Sequence, residues 1–119
     1  MNDIVRIKTN PKRGRVAIYN GGGYFGGHAA DDRRNDIRDQ TRQALAKLDV
    51  TLKSAGTDRN RLLSAQIWLK DIGRDFAGMN EIWDQWIDPE HAPARATAQC
   101  EMGAPDVLVE IIVTAAVST

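Results

Sequence analysis

The chain is poor in the residues that would announce a metal or redox site. It holds one cysteine, Cys100, and two histidines, His28 and His91, in 119 residues. A lone cysteine closes no disulfide within the chain and builds no thiolate zinc site. The histidines stand at unrelated spacings, with no HxxxH or HExxH pattern, so no metal is expected. Charge of one sign is also missing: 16 basic and 16 acidic side chains cancel. A neutral chain has no bulk electrostatic footprint for nucleic acid or an anionic membrane. No apolar run approaches the roughly 18–20 residues of a membrane span. The alternating stretch from Met1 to Thr9 lacks the apolar centre of a secretory signal and the character of a transit peptide. The expectation is a soluble protein of a reducing compartment, the cytoplasm.

What is present fits one globular domain spanning 1–119. Hydrophobic residues make up 42% and charged residues 27%, close to the soluble average. The alternation over Ile4–Lys8 predicts a short strand, broken by Asn10-Pro11 and Gly14. Val16–Tyr19 predicts a second strand. Asn20-Gly21-Gly22-Gly23 predicts a hairpin turn, and Tyr24–Ala29 the returning strand. The Gly26-Gly27 pair within it points to close approach by a ligand or another backbone. Ile37, Thr41, Ala44, Leu45, Leu48, Leu52 and Ala55 fall at spacings of three and four, predicting a helix over Asp36–Ala55 closed by Gly56. Leu62–Lys70 reads as a strand with Leu63, Ala65, Ile67 and Leu69 on one face. Phe76, Met79, Trp83 and Trp86 form a second helical stripe, ended by Asp88-Pro89. Arg95–Met102 and the β-branched run Val107–Val117 complete the strands, the latter central.

The order β-β-β-α-β-α-β-β predicts an α+β two-layer sandwich, a mixed sheet of five to six strands with both helices on one face. The other face is left uncovered. Apolar residues there predict self-association.

Glu110 is the most informative side chain, because Val107-Leu108-Val109 precede it and Ile111-Ile112-Val113 follow. A carboxylate in such a strand is costly unless paired or hydrogen-bonded. It is either a structural ion pair, an edge position, or a pocket carboxylate available as a base for water. Arg95 enters a strand just after Pro93. It is either a solvated surface arginine or a fork aimed at a carboxylate. Cys100 reads as a small buried hydrophobe, since no base is evident beside it. His28 and His91 read as structural or surface residues. Asp31-Asp32-Arg33-Arg34 reads as a solvated helix entry, and Arg59 and Arg61 as loop residues with nothing to favour a phosphate contact. Gly21-Gly22-Gly23 lacks the lysine of a phosphate loop.

Several short stretches together resemble a known family. They are Tyr24-Phe25-Gly26-Gly27, Gln40-Thr41-Arg42-Gln43-Ala44-Leu45, Ala55-Gly56-Thr57-Asp58, Ile67-Trp68-Leu69-Lys70-Asp71-Ile72, Asp75-Phe76-Ala77-Gly78-Met79-Asn80 with Trp83, Ala92-Pro93-Ala94-Arg95-Ala96-Thr97 and Leu108-Val109-Glu110-Ile111. On these the chain, from about Arg13 onward, resembles the RidA/YjgF family of reactive imine and enamine deaminases. The resemblance implies a chorismate-mutase-like fold, a homotrimer with pockets between subunits, and no cofactor or metal. It implies hydrolysis of 2-imino acids, or their enamine tautomers, to 2-oxo acids and ammonia. By the same resemblance Arg95 holds the substrate carboxylate, Glu110 positions or activates water, and the Gly27 backbone contacts the ligand. Thr97 lines the pocket where well-studied members carry cysteine. Gly26 replaces their serine, and Arg13 falls where they carry a tyrosine. A trimeric binding module for small carboxylic acids is the alternative. Endoribonuclease activity, attached to some members, finds little support in a neutral chain without paired histidines.

Overall fold

The structure is a computed structural model that describes residues 3–118. Met1, Asn2 and Thr119 lie outside the described residues, and with them the first two residues of the leader reading. Six strands and two long helices follow in the order β1 (Val5–Ile7), β2 (Val16–Tyr19), β3 (Gly22–Phe25), α1 (Ile37–Ser54), β4 (Leu62–Leu69), α2 (Ile72–Trp86), β5 (Ala94–Gln99) and β6 (Val109–Ala116). Across the sheet the order is β1-β2-β3-β6-β4-β5. Only β4 and β5 run parallel; α2 is the crossover that joins them. Both helices pack on one face of this mixed sheet, the α+β sandwich expected.

The apolar spacing of α1 becomes its buried face: Ile37, Ala44, Leu45, Leu48 and Leu52 are inside, with Gln40, Thr41 and Thr51 among them. Asp36 caps its start, accepting a hydrogen bond from Asp39 N at 3.2 Å. These side chains meet the inward rows of the two central strands. Val109, Ile111, Val113 and Ala115 of β6 alternate inward, beside Ala65, Ile67 and Leu69 of β4. The run that looked uniformly apolar is therefore two-sided, and Glu110, Ile112, Thr114 and Ala116 face away from the helices.

Several boundaries differ from the sequence expectation. The turn is only Asn20-Gly21, both with positive φ (50° and 76°), and Tyr19 already pairs with Gly22. That is the two-residue loop whose twist suits a hairpin. β3 consequently starts earlier and stops at Phe25; of the expected Tyr24–Ala29 strand only Tyr24 and Phe25 belong to it, although His28 bridges Ile111. β5 ends at Gln99 rather than Met102, because β4, its one neighbour in the sheet, ends at the paired residue Leu69. Leu63 does not share a face with Ala65: a register shift between Leu62 and Ser64 turns Leu62 inward and leaves Leu63 55% exposed. In α2, Phe76 is exposed, and Ile82 takes the expected place beside Met79 and Trp83.

The uncovered face is mixed rather than apolar. Tyr24 and Trp68 stand exposed on it, interleaved with Gln66, Ser64, Thr114 and Glu110. Ser64 and Thr114 are joined across the strands at 2.6 Å.

Candidate functional site

Glu110 projects from β6 on the face away from the helices, opposite Trp68 of β4. It is half-buried. Among the described residues no side chain forms an ion pair or hydrogen bond with its carboxylate, so the ion-pair reading is not met. Its position is set by the neighbouring segment. His28 and Ile111 exchange both backbone hydrogen bonds at 2.9 Å, which fastens residues 26–28 along the start of β6. A Cβ at Gly27 would stand 2.8 Å from Glu110 Cδ and 3.0 Å from Cγ, and closer still to a carboxylate oxygen. Carbon atoms rest at about 3.5–4.0 Å. The carboxyl group thus occupies the space a side chain at residue 27 would need. The close approach anticipated for the glycine pair is real at Gly27, but a carboxylate makes it. At Gly26 a Cβ would meet only ordinary contacts, the nearest at 3.6 Å.

The carboxylate opens into a cavity of about 310 Å³ whose walls are basic: Arg13, Arg15, Arg33 and Lys47 line it, with Asp31. Arg15 Nη1 donates to Gly27 O at 2.9 Å, bracing the backbone under Glu110. Lys47 Nζ reaches Ala29 O at 2.8 Å and Asp31 Oδ1 at 2.9 Å. Arg33 pairs with Asp106 at 3.3 Å. Arg13 is exposed, and no carboxylate among the described residues pairs with it.

His28 is buried against the same segment. The Thr51 hydroxyl donates to Lys47 O at 3.1 Å, so it accepts from His28 Nε2–H at 2.9 Å. Nδ1 then carries the lone pair, and it has no partner among the described residues. Burial first, then the positive charges of Arg15 and Lys47, hold His28 down at a pKa of about 4. It is neutral at neutral pH and serves the core, as the sequence reading had it.

Arg95 and Thr97 lie elsewhere. Arg95 pairs in register with Ala65, and Thr97 with Ile67, so both point to the helix side of the edge strand β5. The Arg95 guanidinium lies over the Trp83 ring, Cζ 5.4 Å from its centroid. Trp83 therefore orients the fork by a cation–π contact. No described carboxylate pairs with it. Thr97 Oγ1 is buried without a partner. Glu110 is on the opposite face, two strands across, or about 10 Å at the usual strand spacing. One chain does not bring Arg95 and Glu110 together.

The remaining expectations resolve simply. His91 pairs with Asp88 at 2.9 Å on the surface. Cys100 is half-buried, its thiol 3.8 Å from Met102 Sδ. Arg59 is held by Asp49 and lies 4.6 Å over the Trp86 ring, leaving it no role as a free phosphate ligand. Arg15, Arg33 and Lys47 were not anticipated. The one available signal was the alternation of Arg13 and Arg15, which places both on one side of an extended segment.

Comparison with known proteins places this architecture. The family model described as endoribonuclease L-PSP matches residues 15–117. A RutC family protein of Haemophilus ducreyi is 38% identical over 115 residues, covering 97% of each chain. The RutC family protein YoaB of Escherichia coli is 38% identical over 114 residues, covering 96% of this chain and 98% of that one. The solved structure of a YjgF family member from Neisseria meningitidis superposes with a TM-score of 0.93 at 32% identity, covering 98% and 97%.

Proposed function

Because the chain belongs to the YjgF/RidA family, the family of the endoribonuclease L-PSP model, we propose that it hydrolyses 2-imino acids and their enamine tautomers. The observation that carries this reading is the Glu110 carboxylate, unpaired in an apolar strand and seated over the Gly27 backbone. A carboxylate placed so is a base for water. The partner it lacks is a grip on the substrate. Arg95 supplies one: a guanidinium oriented by Trp83, without a carboxylate of its own, beside the orphan hydroxyl of Thr97.

Since these groups face opposite sides of the sheet, the reading requires that Arg95 and Thr97 of one copy meet Gly27 and Glu110 of another. A homotrimer with three such pockets is the assembly we propose. The fork of Arg95 binds the substrate carboxylate through two parallel hydrogen bonds and fixes C2 beside Glu110, so that positioning supplies much of the acceleration. Glu110 takes a proton from water as the oxygen adds to C2 of the protonated imine. Glu110 then returns that proton to the carbinolamine nitrogen and takes the hydroxyl proton as the C–N bond breaks, so ammonia departs and a 2-oxo acid remains. RNA cleavage, named in the family description, would need a paired acid and base. Here His28 is buried and neutral, and His91 is engaged with Asp88 at the surface.

The test follows the disappearance of freshly generated 2-iminopropanoate and 2-iminobutanoate, with wild type and Arg95→Ala side by side. Acceleration lost in the variant supports the reading. An unchanged rate in Arg95→Ala, or a monomeric sedimentation profile in an active sample, refutes it. Tight carboxylate binding with no acceleration would instead indicate a binding module.

A further inference from the structure

The cavity around Glu110 holds more positive charge than a monocarboxylic imine requires. Of its four cations, Lys47 is matched by Asp31 and Arg33 by Asp106. Arg15 gives one N–H to a neutral carbonyl, and Arg13 has no acidic partner among the described residues. Two guanidinium groups therefore line one concave wall with only Glu110 to offset them. The substrate's own C1 carboxylate is already assigned to Arg95, which enters from the other copy. Uncompensated like charges in a cleft favour entry of an anion.

We propose that this cavity takes 2-imino acids bearing a second carboxylate, the 2-imino dicarboxylates of four or five carbons, with Arg13 and Arg15 as the residues that select them. The proposal rests on the hydrolase reading. With C1 held by Arg95 and C2 over Glu110, the side chain of the substrate extends along the wall that Arg13 and Arg15 form. At about 310 Å³ the cavity is at the lower end of the range for small-ligand sites, fitting a short chain with its charged end group. Arg15 is braced on Gly27 O, so it presents its remaining N–H groups from a fixed position. Arg13 closes the wall from the solvent side. The same positive field reaches His28 beneath, where Arg15 and Lys47 disfavour its protonation.

The experiment compares two substrates of equal chain length, 2-iminosuccinate and 2-iminobutanoate, each generated in place by an oxidase acting on the parent amino acid. The expected kcat/KM is about tenfold higher for the dicarboxylate, as for a site that reads a charged group through an arginine fork. Arg13→Gln is expected to bring the ratio of the two values close to one. Calorimetric binding of 2-oxoglutarate against 2-oxobutanoate supplies a readout that needs no turnover. If wild type hydrolyses both imines equally, or prefers 2-iminobutanoate, the proposal is overturned while the hydrolase reading stands. If neither imine is accelerated but 2-oxoglutarate binds about tenfold more tightly, with loss of that preference in Arg13→Gln, the selectivity holds and the hydrolase reading fails. No turnover and no binding preference overturn both.

Discussion

Replacing Gly27 by alanine isolates the contact on which Glu110 depends. The new methyl carbon would stand 2.8 Å from Glu110 Cδ and 3.0 Å from Cγ, both about half an ångström or more inside normal contact. The backbone at residue 27 lies outside the left-handed region, so alanine itself is tolerated. The clash must be relieved by rotation of Glu110. Holding that side chain off its rotamer costs about 1 kcal/mol, and letting it swing to solvent costs less. Stability should fall by a few degrees in Tm at most. With Glu110 in the role proposed for it, catalysis should suffer far more, because a displaced general base forfeits about 100-fold, or ~2.7 kcal/mol. The assay is a double-mutant cycle in imine hydrolysis: wild type, Gly27→Ala, Glu110→Ala and the double variant. Gly27→Ala should be nearly as slow as Glu110→Ala, and the double variant no slower than either. A Gly27→Ala protein within about twofold of wild-type kcat would refute the reasoning, as would full additivity in the cycle.

Three other outcomes follow from the packing. Gly78 in α2 touches α1 so closely that a Cβ would lie 2.7 Å from Ile37 Cγ2. Gly78→Ala should therefore lower Tm although alanine favours helix by about 1 kcal/mol, since overpacking costs ~1–3 kcal/mol; in an Ile37→Ala background the sign should reverse. His28 titrates at about 4 when folded and at the ordinary histidine value of 6.5 when unfolded. Between those values the unfolded chain binds the extra proton, so stability rises with pH from 4 to 6.5 by roughly 3 kcal/mol and is lost on acidification through that window. Urea midpoints across it should show a flatter slope in His28→Asn. Asp49 accepts from Arg59 Nη2 at 2.6 Å and from Trp86 Nε1 at 3.0 Å. Asp49→Ala should cost about 1–2 kcal/mol in chemical denaturation and shift tryptophan emission as Trp86 loses its acceptor; an unchanged spectrum would contradict the contact.

How much of this was legible varies with the physics of each residue. The face of α1 was readable because seven positions at helical spacing, six of them apolar, leave one orientation open, and Asp36 and Gly56 marked its ends. The strand run 107–117 was readable as central, since β-branched residues without turn signals favour a covered position. Glu110 stood out because a charge there needs a reason. Leu63 and Phe76 went the other way for separate reasons. A register shift after Leu62 interrupts the alternation that periodicity assumes, whereas α2 is unbroken and buries Asp75, Gly78, Met79, Ile82 and Trp83, which leaves Phe76 beside that stripe. Apart from the alternation of Arg13 and Arg15, the basic cavity was hidden. Arg13, Arg15, Arg33 and Lys47 come from the first loop, the edge of β2, the approach to α1 and its middle turns, and only the pairing of residues 26–28 with β6 draws them around one carboxylate. Thr97 could be placed on β5 beside Arg95, but nothing in the sequence distinguished its orphan hydroxyl from a solvated one.

The opposed directions of Arg95 and Glu110 have a genetic consequence. An activity that draws on both cannot be assigned to one polypeptide, so two defective alleles of the gene need not be equivalent to two defective copies of a site. Chains lacking the arginine retain the glutamate, and chains lacking the glutamate retain the arginine. Co-expressed in equal amounts and assembled at random in the proposed trimers, about one site in four would receive one good half from each parent. Strains carrying Arg95→Ala and Glu110→Ala separately would be inactive, and the heterozygote would not.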